Sequence, residues 1–134
     1  MPKKMRTILG IALCGAMLAL GPIAAQAQTA FPGVGHVYLV DFHRFVVELY
    51  FQSETKMTYT GILRDGSRGQ SETVTIAIAN LRANQFLVTW TEQDKTTVVH
   101  IEDYLLKTIH TNITNPDLSF EQYDGTITQL DPFP

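Results

Sequence analysis

The chain has 134 residues, with ten Lys or Arg against 13 Asp or Glu, and a single cysteine. That length suits one domain with one core, and a lone cysteine excludes both a disulfide framework and a cysteine-held metal. The acidic balance repels phosphate backbones and anionic lipid, so neither nucleic acid nor a membrane surface is an expected partner.

The first residues, Met1-Pro2-Lys3-Lys4-Met5-Arg6, place three positive charges ahead of an apolar run from Ile8 to about Leu20. Gly21-Pro22 breaks the run, and Ala25-Gln26-Ala27 is a small-x-small triplet. Charged segment, short apolar segment and A-x-A site are the three parts of a secretory signal peptide. The run is shorter than the ~20 apolar residues a membrane span needs. An uncleaved anchor is the alternative, and the Gly-Pro break before a cleavage site argues against it. Cys14 sits inside the run behind Leu13, which does not fit a lipid-anchor site. Residues 1–27 are therefore read as a signal peptide cleaved after Ala27, and 28–134 as a periplasmic or secreted domain, free of the membrane after cleavage. Cleavage removes Cys14 and three of the ten basic residues, leaving seven against 13 acidic ones, a formal net charge of −6.

After Gln28 no helical period appears. Short runs rich in Val, Ile, Thr, Tyr and Phe recur between polar or glycine-containing breaks, the pattern of strands and hairpins. Eight strands are expected: Gly35–Phe42, Phe45–Gln52, Lys56–Leu63, Ser71–Ala79, Gln85–Glu92, Thr96–Asp103, Lys107–Thr114 and Phe120–Leu130. His43-Arg44 and Asp94-Lys95 suit tight connections, and Arg64-Asp65-Gly66-Ser67-Arg68-Gly69 and Asn115-Pro116-Asp117 are turns. Phe45, Val47, Leu49 and Phe51 share one face, with Val46, Glu48 and Tyr50 on the other; Val74, Ile76 and Ile78 stand against Thr73, Thr75 and Ala77, and Phe86, Val88 and Trp90 share a face in the same way. One-sided strands joined by short hairpins need a shared core and no open edge, which a closed antiparallel up-and-down β-barrel supplies. Eight strands enclose room for side chains or one small ligand. A β-sandwich is the competing architecture; the lack of long crossover loops favours the barrel.

Phe45-Val46-Val47-Glu48-Leu49-Tyr50-Phe51, Met57-Thr58-Tyr59-Thr60, Leu87-Val88-Thr89-Trp90-Thr91-Glu92, Thr96-Thr97-Val98-Val99-His100, Thr111-Asn112-Ile113-Thr114 and Gly125-Thr126-Ile127 occur in that order. In this order they resemble the MoaF-like domain of the calycin, or lipocalin-like, superfamily. The resemblance spans nearly all of 28–134 and implies a calycin barrel. Val88 to Pro116 also resembles the phenolic acid decarboxylases, cofactor-independent calycin barrels, matching at Val88, Trp90-Thr91-Glu92, Val98, His110 and Pro116. That likeness implies a catalytic role for Glu92. The decarboxylases also carry a tyrosine pair on the first strand and an arginine after the third-hairpin glycine. Here those places hold Tyr38 with Val40, and Gly69-Gln70.

Parity puts Glu92 on the face of Val88 and Trp90, where a carboxylate can act as a base or pair with a cationic ligand. His36, His43, His100 and His110 show neither H-x-H nor H-x₃-H spacing, so no metal site is expected. His100 and His110 face one another or opposite ways depending on a one-residue register choice. Tyrosines 50, 59, 104 and 123 are packing residues first, and Asn112-Ile113-Thr114, a glycosylation sequon by pattern, is strand. No phosphate loop or serine triad occurs, and no cofactor is implied. The expectation is an exported lipocalin-like barrel holding a small aromatic or amine-bearing ligand on Trp90, Glu92, Tyr59, His110 and Asn112. The acidic group and the missing arginine favour a neutral or cationic ligand. The rival readings are a cofactor-independent lyase or isomerase using Glu92, and a filled barrel acting as an interaction module. Homodimerisation is compatible with each.

Overall fold

The computed structural model describes residues 29–130; the expected signal peptide lies outside them. Eight strands follow in order: β1 (Val37–Asp41), β2 (Val46–Ser53), β3 (Lys56–Ile62), β4 (Arg68–Arg82), β5 (Gln85–Thr91), β6 (Thr97–Asp103), β7 (Thr108–Thr114) and β8 (Phe120–Leu130). Each pairs antiparallel with the next, and β1 pairs with β8, so the ring closes. The expected up-and-down barrel is the fold.

Closure follows from alternation. Tyr38, Val40, Leu49, Phe51, Met57, Val74, Ile76, Phe86, Val88, Val98, Ile109 and Ile127 all point inward and are buried. Each such aliphatic or aromatic side chain contributes roughly 1.5–3 kcal/mol on leaving water. Tight turns use the left-handed backbone: Gly66 at φ 83° between β3 and β4, Asn84 at 61° between β4 and β5, and Lys95 at 80° between β5 and β6. Asx side chains secure several of them, as Asp65 accepts from the Ser67 amide and Asp94 from the Thr96 amide.

β4 is the main departure from the sequence reading. It runs 15 residues, beginning at Arg68 rather than Ser71 and ending at Arg82 rather than Ala79. Irregularities in pairing at Thr60/Ile62 and Asn80/Arg82 let the strand continue past points where alternation breaks.

The two ends of the barrel differ. At the end carrying the β2–β3, β4–β5 and β6–β7 turns, Phe31 caps the core edge-on. Its ring lies 5.0 Å from Phe51, 5.2 Å from Phe86 and 5.7 Å from Tyr104, centroid to centroid. The opposite end, with the β1–β2, β3–β4, β5–β6 and β7–β8 turns, is open.

Gly125 on β8 packs against the β1 backbone: a Cβ there would collide with the Asp41 carbonyl and press on the Phe42 ring. Gly125→Ala should therefore destabilise the barrel by about 1–3 kcal/mol, the usual cost of overpacking. Urea unfolding measures it, and an unchanged midpoint would show that the β1–β8 seam yields freely.

Candidate functional site

The open end leads into a cavity with about 920 Å³ of empty space, mouth included. Its walls come from the ends of six strands. Phe42 and Phe45 flank the β1–β2 turn, Val47 and Leu49 come from β2, Tyr59 and Gly61 from β3, Trp90 from β5, Val98 and His100 from β6, and Ile113 from β7. Gly61 and Gly69 contribute no side chain on the β3–β4 wall, which leaves that side of the mouth wide. Leu63 and Phe45 form an exposed apolar lip.

Trp90 is the centre of this arrangement. Its ring meets His100 edge-on with centroids 4.6 Å apart and lies 6.4 Å from Tyr59. Its Nε1 donates to Glu92 Oε1 at 3.4 Å. Glu92 stands one residue beyond β5, where its amide donates to the Thr96 carbonyl and closes the hairpin. Half-buried at the cavity wall, its carboxyl is pushed above the ordinary range. Desolvation is the main cause, the hydrogen bond from Trp90 opposes it, and the charges of Asp94 and Glu72 reinforce it. Tyr59 donates to Glu72 Oε2 at 2.9 Å, and Glu72 Oε1 accepts from the Gln93 amide at 2.7 Å. Burial, and then the bond to Glu72, hold the Tyr59 phenol far above its usual value, so it stays protonated.

Deeper in the barrel lies a second polar set. His100 Nδ1 meets Glu102 Oε1 at 3.1 Å, and Tyr104 donates to Glu102 Oε2 at 2.6 Å. Glu102 is fully buried and His100 nearly so. Burial, followed by the neighbouring Glu102 charge, pushes the Tyr104 phenol far up, which keeps it a donor.

Of the residues expected to bind ligand, the structure brings Trp90, Glu92 and Tyr59 to one cavity. His110 and Asn112 stand apart. The β6–β7 register pairs Ile101 with His110 and His100 with Thr111, so His100 faces in and His110 faces out. His110 Nδ1 meets the exposed Asp124 carboxylate at 2.6 Å, and Asn112 accepts from Gln122. The parity of β7 buries Ile109 and Thr111 and turns the two expected site residues to the outer surface. Tyr38, the counterpart of the decarboxylase tyrosines, lies at the capped end, its hydroxyl bonded to the Pro32 carbonyl. Gln70 lines the mouth where those enzymes have arginine, and among the described residues no Lys or Arg lines the cavity. Among the described residues no cluster of three His, Cys, Asp or Glu could hold a metal ion.

Against known proteins, the sequence model of the MoaF-like family matches residues 34–128, from just before β1 to near the end of β8. The chain belongs to the MoaF-like family. No curated protein matches it. A solved structure of similar shape is a protein of Burkholderia vietnamiensis provisionally described as a beta-lactamase. The two are 25% identical, superpose with a TM-score of 0.69, and share 75% of this chain and 97% of that one. Among the described residues no serine lines the cavity of the present MoaF-like barrel, and the likeness speaks to the fold.

The folded state holds the Glu92 proton more tightly than the unfolded chain does. Ionisation of Glu92 therefore works against folding as the pH rises from its ordinary value through its raised one. Glu92→Gln should gain on the wild type in thermal midpoint across that rise and show no such trend below it. A difference independent of pH would show that the carboxylate is solvated.

Proposed function

We propose that the protein is a binder of small, flat, neutral or amine-bearing molecules, taken into the open end of the barrel against Trp90. The observation that supports this most is the cavity itself: an apolar, aromatic-walled space at the open end of the barrel, with Glu92 at its wall. Ligand sites of this kind are mostly apolar with a few oriented polar groups. Glu92 is the ionisable acid on the wall, with Glu72 behind it through Tyr59. A carboxylate ligand would meet like charge and no cation, whereas an ammonium or a neutral donor finds an acceptor.

The ligands that match this wall carry the same indole chromophore as Trp90, so heat is the readout. Titration calorimetry with tryptamine, indole and indole-acetate should show saturable binding with affinity in that order. Glu92→Gln should weaken tryptamine by about tenfold or more, the worth of a hydrogen bond to a charged group, and leave indole nearly unaffected. Equal binding of the acetate and the amine, or no response to any of them, would defeat the reading.

The same proposal places the protein outside the cytoplasm, on the charged segment, apolar run and Ala25-Gln26-Ala27 triplet of the N-terminus. Expressed as the full chain in a bacterium, it should be recovered from the periplasm or medium with Gln28 as its first residue. Recovery from the cytosol with Met1 retained would refute export.

A further inference from the structure

His100, Glu102 and Tyr104 lie at every second position of β6 and the turn that follows, so they share the inner face. An ionised Glu102 has no proton to give and accepts from both neighbours, Tyr104 Oη–H on one oxygen and the His100 Nδ1 position on the other. This fixes the proton of a neutral imidazole on Nδ1 and leaves Nε2 as a bare lone pair, the way a buried carboxylate selects a histidine tautomer. His100 is one of the residues lining the cavity, and among the described residues no group bonds Nε2. Among the described residues the fully enclosed side-chain atom without a partner is Thr111 Oγ1, so the equally unbonded Nε2 is not sealed in. Trp90 holds one side of the imidazole at 4.6 Å, and Phe42 stands 5.9 Å away.

We propose that His100 is a general base facing the lumen, held by Glu102 and Tyr104, and that the barrel catalyses proton transfer at carbon in flat, neutral carbonyl compounds. This rests on the cavity being a ligand site, and it adds a reaction to binding. The substrate class follows from the walls: Trp90, Tyr59 and Phe42 suit a planar ring system, and no cation is present to hold a carboxylate. In the step, Nε2 takes a proton from the carbon beside the carbonyl. The C–H bond breaks, the N–H bond forms, and the electron pair moves into the carbonyl as an enolate. Glu102 stabilises the imidazolium that results. Return of the proton to the far end of a conjugated enolate regenerates the base and leaves an isomer, with no oxidant, reductant or cofactor consumed. The charged or titratable groups around the imidazole are Glu102 and Tyr104 on its own side of the lumen and Glu92 across the Trp90 ring. Glu102 acts here as a positioning residue.

The experiment uses nitrobenzisoxazole, a flat neutral carbon acid of aromatic size. A base that removes its C–H proton breaks the N–O bond and releases a coloured cyanophenolate. Quenching of Trp90 reports its binding separately. Wild type should turn it over with saturation kinetics. His100→Gln should lose about a hundredfold in kcat, the lower range for a general base, with quenching retained. Glu102→Gln should lower kcat with little change in KM. Nitrogen NMR of the wild type reads the tautomer without any mutation: the proposal requires protonated Nδ1 and bare Nε2 in neutral His100. An Nε2–H tautomer, or His100→Gln turning over as fast as wild type, would overturn it. Binding without turnover sinks this proposal and leaves the binding function standing, whereas absence of binding sinks both.

Discussion

The hydrogen-bonded seam between β1 and β8 is the constraint from which the rest follows. Five residues of β1, Val37 to Asp41, pair with Leu130 to Thr126, and once the ring is shut every strand has one face inside and one outside. A closed ring has no free edge to protect, so the turns at its ends can be short. The close approach of Gly125 to the Asp41 carbonyl belongs to this seam. A two-residue repeat then decides, for each side chain, whether it meets the lumen or water.

Most of the fold was legible for that reason. Polar and apolar residues alternate strongly in β2, β4 and β5, and their inward residues are the ones the sequence pattern selects. The candidate site was only half legible. Trp90 and Glu92 follow from the unambiguous parity of β5, and Tyr59 from that of β3. On β6 the adjacent Val98 and Val99 are both apolar, so the sequence does not say which faces in, and β7 inherits the uncertainty across the hairpin. Positive φ at Lys107 shapes the β6–β7 turn that sets the register. One residue the other way, and His110 would have faced the lumen beside His100. The His100-x-Glu102-x-Tyr104 spacing was the available signal, because three hydrogen-bonding residues at alternate positions make sense together on an inner face. β4 was read short because its ends lie beyond pairing irregularities that hydrophobic alternation does not encode.

The ends of the barrel divide the work between stability and access. Phe31, Phe51, Phe86 and Tyr104 interlock edge-to-face at one end, an arrangement that adds roughly 0.5–1.5 kcal/mol per aromatic pair beyond area burial. At the other end Phe42, Phe45 and Tyr59 are spaced around an opening, with glycines rather than side chains at 61 and 69. The same alternating strands thus gather aromatic rings at one end of the lumen and leave a walled space at the other.

Glu102 is the residue that this division explains least as scaffold. Taking a carboxylate out of water costs several kcal/mol even after relaxation, and well-packed apolar replacements of buried ionic groups are commonly neutral or stabilising. Two hydrogen bonds satisfy it, yet neither His100 nor Tyr104 needs a carboxylate in order to pack: Phe86 and Trp90 on the neighbouring β5 show that apolar and aromatic side chains fill this lumen. What a carboxylate supplies that those groups do not is direction. It selects which nitrogen of His100 carries a proton, and it does so next to a cavity that the imidazole lines. In the proposed proton transfer, a buried charge that orients a neighbouring base is an arrangement whose cost is met by what the base can do, which puts the imidazole at 100, rather than Glu92 alone, at the centre of the proposed chemistry.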